Sequence, residues 1–370
     1  MGADSSKYGA IRIVLDKYVY ISGESIRGSI NVQVNEPIPP CRIQFGFKGV
    51  EEVKWSETRG AGKHRRTVHF YNKFLISRSK YIIMSWNTPL QPGSFSIPIV
   101  FVTPQGLPGS FQFLGHRGIF LVVYKLYIRL FSDNIKLKDK QGVGIYNDIP
   151  INRIYQGPVT ANLIAWCCLN KGQVILDLQY KNDTYSLGNP IQCALNIDNS
   201  NSKAKVKSIT AHVYFVTIPT SGGGFTRHFP TTVFKSTYQI SVEKGEKLVG
   251  DKASEFSFSL DDASKQIDFM SVHTMKGNIL ECNFYLEFEL NMNIHCLCCG
   301  DYPKITSSIY VRPQANFAAP LIVKPANWQP QMYEPVQLYY NPSNEAGDKG
   351  ETQFMQQHKG DNSVLNQTKL

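Results

Sequence analysis

Apolar side chains recur at every second position along much of this chain. Between Ile26 and Val34, the residues Ile26, Ile30, Val32 and Val34 are apolar, while Arg27, Ser29, Asn31 and Gln33 are polar. Cys41, Ile43, Phe45 and Phe47 alternate with Arg42, Gln44 and Lys48. Val174, Leu176, Leu178 and Tyr180 repeat the pattern, as do Phe284, Leu286, Phe288 and Leu290. A strand sends successive side chains to opposite faces, so each segment has one face to bury and one to wet. That is the habit of antiparallel sheets packed as sandwiches. The composition agrees: 12% of residues are aromatic and only 18% are charged, a mix that suits pleated, half-buried surfaces. Helical periodicity is nearly absent. A short helix is expected at most near Ser85–Asn87 or within Phe101–Leu114. Turn punctuation falls between the alternating segments, at Pro37 to Pro40, Pro89 to Gly93, Gly106 to Gly109 and Gly222 to Gly224.

The alternating pattern occurs twice in the same order. Tyr20-Ile-Ser-Gly23-Glu-Ser-Ile26 is matched by Tyr185-Ser-Leu-Gly188-Asn-Pro-Ile191, and Asn31 by Asn196. Each segment bends at a glycine, which tolerates backbone angles closed to other residues, and then enters a strand of fixed register. The next strands also correspond: Arg42 to Phe45 with Ser208 to Val213, Gly93 to Pro98 with Glu255 to Leu260, and Phe120 to Leu130 with Phe284 to Leu290. Two copies of one β-sandwich are expected, over residues 8–155 and 162–312, followed by a tail over 313–370. The tail's recurring prolines, Pro320, Pro325, Pro330, Pro335 and Pro342, read as extended and partly disordered. Its Trp328, Tyr333, Tyr339 and Tyr340 suggest either a short linear motif or docking back onto a sandwich.

In order along the first half stand Tyr20-x-x-Gly23-Glu24-x-Ile26, Phe47-Lys48-Gly49, Val53 to Thr58, Leu90 to Pro98, Leu107 to Phe111 and Gly115 to Ile119. In the second half stand Trp166-Cys167-Cys168, Lys171-Gly172-x-Val174 and Asp198 to Ser202. This ordered set, over about residues 8–312, resembles the arrestin family, and within it the α-arrestins, the arrestin-domain-containing proteins. The resemblance implies two tandem arrestin-like, immunoglobulin-type β-sandwiches. It implies a non-enzymatic adaptor that links membrane-protein cargo tails or receptors to trafficking or ubiquitin-ligase proteins. A retromer-like coat subunit of the same fold is the alternative within it. Members of the branch often carry P-P-x-Y motifs for WW domains. Here Trp328 is followed by Pro330-Gln-Met-Tyr333, which lacks the second proline.

Other residues set further expectations. The formal net charge is +10, which favours anionic partners such as a lipid surface. No arginine-rich run or basic-and-aromatic motif points to nucleic acid. Met1-Gly2-Ala-Asp-Ser-Ser6 fits the pattern for myristoylation at Gly2, or matches it by chance. Lys63, His64, Arg65 and Arg66 lie in a glycine-flanked loop that either meets phosphate or headgroups or is simply solvated. Lys203, Lys205 and Lys207 are expected on the wet side of one strand, and they extend a basic surface or do no more than face water. His295, Cys296, Cys298 and Cys299 lack paired C-x-x-C spacing, so no metal or other cofactor is expected. No G-x-S-x-G elbow, H-E-x-x-H, P-loop or strand-following G-x-G-x-x-G is present, so no catalytic residue is expected. The eight cysteines read as free thiols of a reducing cytosol. The expected location is the cytoplasm, peripherally at the plasma membrane or endosomes.

Overall fold

A computed structural model of the chain describes residues 6–62, 65–115, 118–147, 157–165, 169–186, 188–261, 267, 271–294, 302–313 and 328–341, with short strands at 352–353, 356–359 and 362–365. The chain forms two compact units. The first holds Met1–Asn147, Gly277–Ile279 and Ala315–Leu370, and the second holds Asp148–Lys276 and Leu280–Gln314.

The first unit contains β1 (Gly9–Leu15), β2 (Val19–Ile21), β3 (Ser25–Val34), β4 (Cys41–Arg59), β5 (Arg66–Trp86), β6 (Gly93–Val102), β7 (Phe111–Gly115), β8 (Gly118–Phe131) and β9 (Lys136–Tyr146). One sheet runs β1-β3-β6, and the other runs β2-β9-β8-β4-β5 with β7 beside β8. The alternation read in the sequence sets the layers: Ile26, Ile30, Val32 and Val34 of β3 are buried, as are Cys41, Ile43, Phe45 and Phe47 of β4. Across the sandwich, Phe101 of β6 meets Phe47 at 5.2 Å and Phe45 at 5.6 Å between ring centres, and Phe47 stacks on Tyr124 at 5.8 Å. Each such buried ring contributes about 2–3 kcal/mol.

The second unit contains β10 (Val159–Ala165), β11 (Leu169–Asn182), β12 (Thr184–Tyr185), β13 (Ile191–Asp198), β14 (Val206–Pro219), β15 (Phe229–Tyr238), β16 (Lys247–Leu248), β17 (Ser254–Phe258), β18 (Met275–Lys276), β19 (Leu280–Met292) and β20 (Lys304–Val311). Its sheets run β10-β11-β13-β16, with β17 on β13, and β12-β20-β19-β14-β15, with β18 on β19. Phe256 of β17 and Phe288 of β19 meet between the layers at 4.7 Å.

The duplication is topological as well as sequential. β2 pairs in parallel with β9, and β12 pairs in parallel with β20. Tyr20 is buried and donates its hydroxyl to Lys17 O at 2.6 Å, while buried Tyr185 donates to Asp261 Oδ1 at 2.6 Å. Gly23 and Gly188 hold φ of 87° and 80°, as the bend after each tyrosine requires. A second glycine pair follows the same logic. A Cβ on Gly9 would lie 1.9 Å from Gln33 O, and one on Gly172 would lie 1.9 Å from Asn201 O.

The short helix expected near Ser85–Asn87 or within Phe101–Leu114 is not formed. Ser85 and Trp86 end β5, Phe101 and Val102 end β6, and Phe111 to Leu114 belong to β7. Each of these runs has a neighbouring strand to pair with, and cross-strand packing outweighs weak local preference. Among the described residues helix is confined to 3₁₀ conformation, as in the segment Gly250–Lys252.

Among the described residues of the first unit, one acid is buried. Glu51 is fully buried on β4, and its carboxylate accepts hydrogen bonds from Asn278 N, Asn278 Nδ2 and Ile279 N at 2.8–2.9 Å. Such charge-assisted bonds offset the cost of taking the carboxylate out of water. Cys41, Cys193 and Cys282 are buried free thiols whose pKa values burial raises.

Candidate docking edge of the first unit

The sheet β1-β3-β6 would end in the backbone groups of β6, and an open edge of this kind invites a further strand. The tail supplies it. β21 (Gln331–Met332) and β22 (Val336–Tyr339) both run parallel to β6. Gln331 pairs with Phe95 and Met332 with Ser96, while Val336 to Tyr339 pair with Ile99 to Val102. Tyr333 N donates to Ser96 O at 3.0 Å between the two strands. From Met332 to Val336 the tail takes one residue more than β6 takes from Ser96 to Ile99, so it bulges there. Pro335 lies in the bulge, where its missing N–H costs no ladder bond.

Two side chains anchor the segment. The Tyr333 ring sits 6.2 Å from Trp86, edge-on, and 6.0 Å from Phe95. Burial raises its hydroxyl pKa, against the opposing effect of a hydrogen bond with Trp86. Leu338 is 0% exposed, whereas its neighbour Tyr339 is 59% exposed, the alternation a strand over a core demands. Tyr81 of β5 donates its hydroxyl to Tyr339 O at 2.7 Å, and Gln337 Nε2 donates to the Tyr339 hydroxyl at 2.6 Å. The edge therefore binds an extended segment through main-chain pairing. One pocket, between Trp86 and Phe95, takes an aromatic ring, and a second position takes a branched aliphatic side chain. That is the physics of strand addition.

Of the tail residues singled out in the sequence, Tyr333 is an anchor, and Trp328 and Pro330 are half-buried just before β21. Trp86, Phe95 and Leu338 were not foreseen. Their alternation was visible, but not that the tail would lie on this edge.

The basic candidates are scattered. Gly2, Lys63 and His64 lie outside the described residues, as do Cys296, Cys298, Cys299 and His295. Arg65 and Arg66 are exposed at the tip of the β4–β5 hairpin, where Arg66 pairs across from Arg59. Lys203, Lys205 and Lys207 do not share one strand face. Only Lys207 lies in β14; Lys203 and Lys205 belong to the loop before it. The cause is local. Buried Asn199 donates from Nδ2 to Ala204 O and Glu243 O, both at 2.9 Å, and Ser202 Oγ accepts from Ala204 N at 3.0 Å, so side chains take backbone groups that a strand would use. Lys205 is ion-paired with Glu243.

Residues 11–129 match the family described as arrestin (or S-antigen), N-terminal domain, and residues 170–314 match arrestin (or S-antigen), C-terminal domain. Human "Arrestin domain-containing protein 5" is 25% identical over 218 residues. That similarity covers 55% of this chain and 61% of the human protein, less than two thirds of its length. With two sandwiches built to one repeated plan and both arrestin domains matched in order, the chain belongs to the arrestin family, close to its α-arrestin branch.

Proposed function

We propose that this protein is a non-enzymatic adaptor that links membrane-protein cargo or receptors to trafficking or ubiquitination machinery at the plasma membrane or endosomes. The observation that carries this reading is the β6 edge, which holds an extended peptide, Gln331 to Tyr339, by backbone pairing and two side-chain anchors. A protein whose edge captures one extended segment has the means to capture the extended tail of another. The tail also carries Pro330-Gln-Met-Tyr333, so the residues that would recruit a partner are the same ones docked on β6.

The test is affinity capture from cytosol and membranes with three forms: the full chain, Gly2→Ala, and a truncation ending at Val311. Membrane cargo together with ubiquitin-pathway or sorting proteins is expected with the full chain. The truncation should lose the recruited machinery, and Gly2→Ala should lower membrane-derived cargo if Gly2 is acylated. A fixed set of coat subunits captured equally by all three forms would replace this reading with the retromer-like one.

A further inference from the structure

Cations that lie far apart in the sequence are gathered on the outward face of the larger sheet of the first unit. Lys48 of β4 pairs with Arg78 of β5 on one side and with Lys125 of β8 on the other. One row along, Gly46 lies between Lys80 and Tyr127, and Tyr127 pairs with Lys140 of β9. In the next row Arg129 pairs with Lys138. Among the described residues of these rows none is an Asp or Glu. Of the described acids nearby, Glu51 is buried, Asp139 accepts from Ile13 N at 2.9 Å, and Glu52, farther along the same face, pairs with Lys54 and Lys73.

The rows are packed, not merely close in projection. Gly46 leaves room for the Tyr127 ring, which a Cβ there would meet at 2.2 Å. The Arg129 guanidinium lies over that ring, 5.6 Å from its centre. Burial first, then the charges of Lys73, Arg78 and Lys125, hold the Lys48 pKa below its ordinary value. Like charges directly opposite one another weaken a sheet, so the row in which Lys48 stands between Arg78 and Lys125 carries a repulsion that an anionic partner would relieve.

The shape of the face selects among anionic partners. The cations spread over four adjacent strands, roughly 15 Å across at the usual strand spacing, on a pleated surface and not at a strand edge. Farther along the same face stand Leu75, Tyr71, Ile119 and Leu114, all exposed, with Lys54 5.3 Å from the Tyr71 ring centre. A broad basic field bordered by apolar and aromatic side chains fits the headgroup layer and its acyl boundary. An extended peptide is better served by an edge such as β6.

We infer that this face of the β9-β8-β4-β5 sheet docks on an anionic phospholipid bilayer. It deepens the adaptor reading by giving the chain its own membrane contact, yet it can fail while that reading stands, because the adaptor reading rests on the β6 edge.

The test is vesicle co-sedimentation of the full, unacylated chain, with phosphatidylcholine vesicles with and without phosphatidylserine. Binding is expected only with the anionic lipid and should be lost at about 1 M salt, where the Debye length falls to about 3 Å. Lys48→Gln/Lys125→Gln/Arg129→Gln should weaken binding by about 100-fold, at roughly fivefold per cation. All three side chains are exposed, and a thermal melt matching the parent confirms that the fold is kept. Lys203→Gln/Lys207→Gln, in the second unit, should bind as the parent does. The inference is overturned if the parent ignores lipid charge, or if the triple variant binds vesicles unchanged. It is overturned equally if the triple variant loses binding to an acidic peptide and keeps its binding to vesicles.

Discussion

Replacing Leu338 by alanine separates a docked tail from an integral strand. Leu338 is fully buried under the sandwich edge, and truncating such a leucine costs about 3–5 kcal/mol. The cost falls on the docking equilibrium, because β22 is only the four residues Val336–Tyr339 and can leave β6 without disturbing the β3–β6 pairing. A loss of about 3 kcal/mol multiplies the released population by about 150. Amide hydrogen exchange of peptides covering Val336 to Tyr339 should accelerate by that order. Exchange of Ile99 to Val102 should rise far less, since β6 keeps β3 as a partner. Leu338→Met, which preserves apolar volume, should cost less than about 1.5 kcal/mol and leave the tail mostly docked. Two results would refute the reasoning. If exchange in Val336 to Tyr339 is unchanged in the alanine variant, Leu338 does not anchor the tail. If β3 and β8 lose protection in parallel with β22, the tail is part of the cooperative core.

Two further outcomes follow from buried groups and close backbone approaches. His273 is buried in the second unit, and burial lowers its pKa from 6.5 to about 4. The unfolded chain therefore binds the extra proton first: the stability His273 confers is complete above about pH 6.5 and is lost as pH falls toward 4, by about 3 kcal/mol in all. Urea melts at pH 7 and pH 4.5 should show that loss in the parent and a smaller one in His273→Gln; equal losses would exclude His273 as the cause. Gly9→Ala and Gly172→Ala should each destabilise by more than about 2 kcal/mol, because the new Cβ meets a backbone carbonyl that cannot turn away. Gly188→Ala, with nothing within 4 Å of its Cβ, should cost only about 1 kcal/mol for its φ of 80°. Equal costs at the three sites in a chemical melt would show that the carbonyl approach is not what these positions guard.

How much of this was legible in the chain depended on whether the physics was local. The sandwich layers were legible, because a strand half in a core writes period two into its own residues, as Ile30-Asn31-Val32-Gln33-Val34 does. The duplication was legible because a buried tyrosine and a positive-φ glycine at fixed spacing are both demanded by one bend, and both halves make that bend. The tail's docking was only half legible. Val336 to Tyr339 alternates, but four residues without their partner look the same as a solvated extended tail. What places them is the free edge of β6 and the Trp86–Phe95 pocket, more than two hundred positions earlier.

The basic surfaces show the same limit from the other side. Lys203, Lys205 and Lys207 drew notice because they are close in sequence, yet Asn199 and Ser202 fold two of them into a loop. Lys48, Arg78, the pair Lys125 and Arg129, and Lys138 look like the ordinary wet sides of four separate strands. They become one field only through the register of β4 against β5 and β8, and of β8 against β9. Spacing along the chain reports charge density in a strand, but cross-strand register decides charge density on a face, and a bilayer would sense only the second. The neutralising triple variant thus tests more than a binding surface: if Lys48 of β4 acts together with Lys125 and Arg129 of β8 on anionic vesicles and the sequence-adjacent lysines do not, register has built a site that no stretch of the sequence contains.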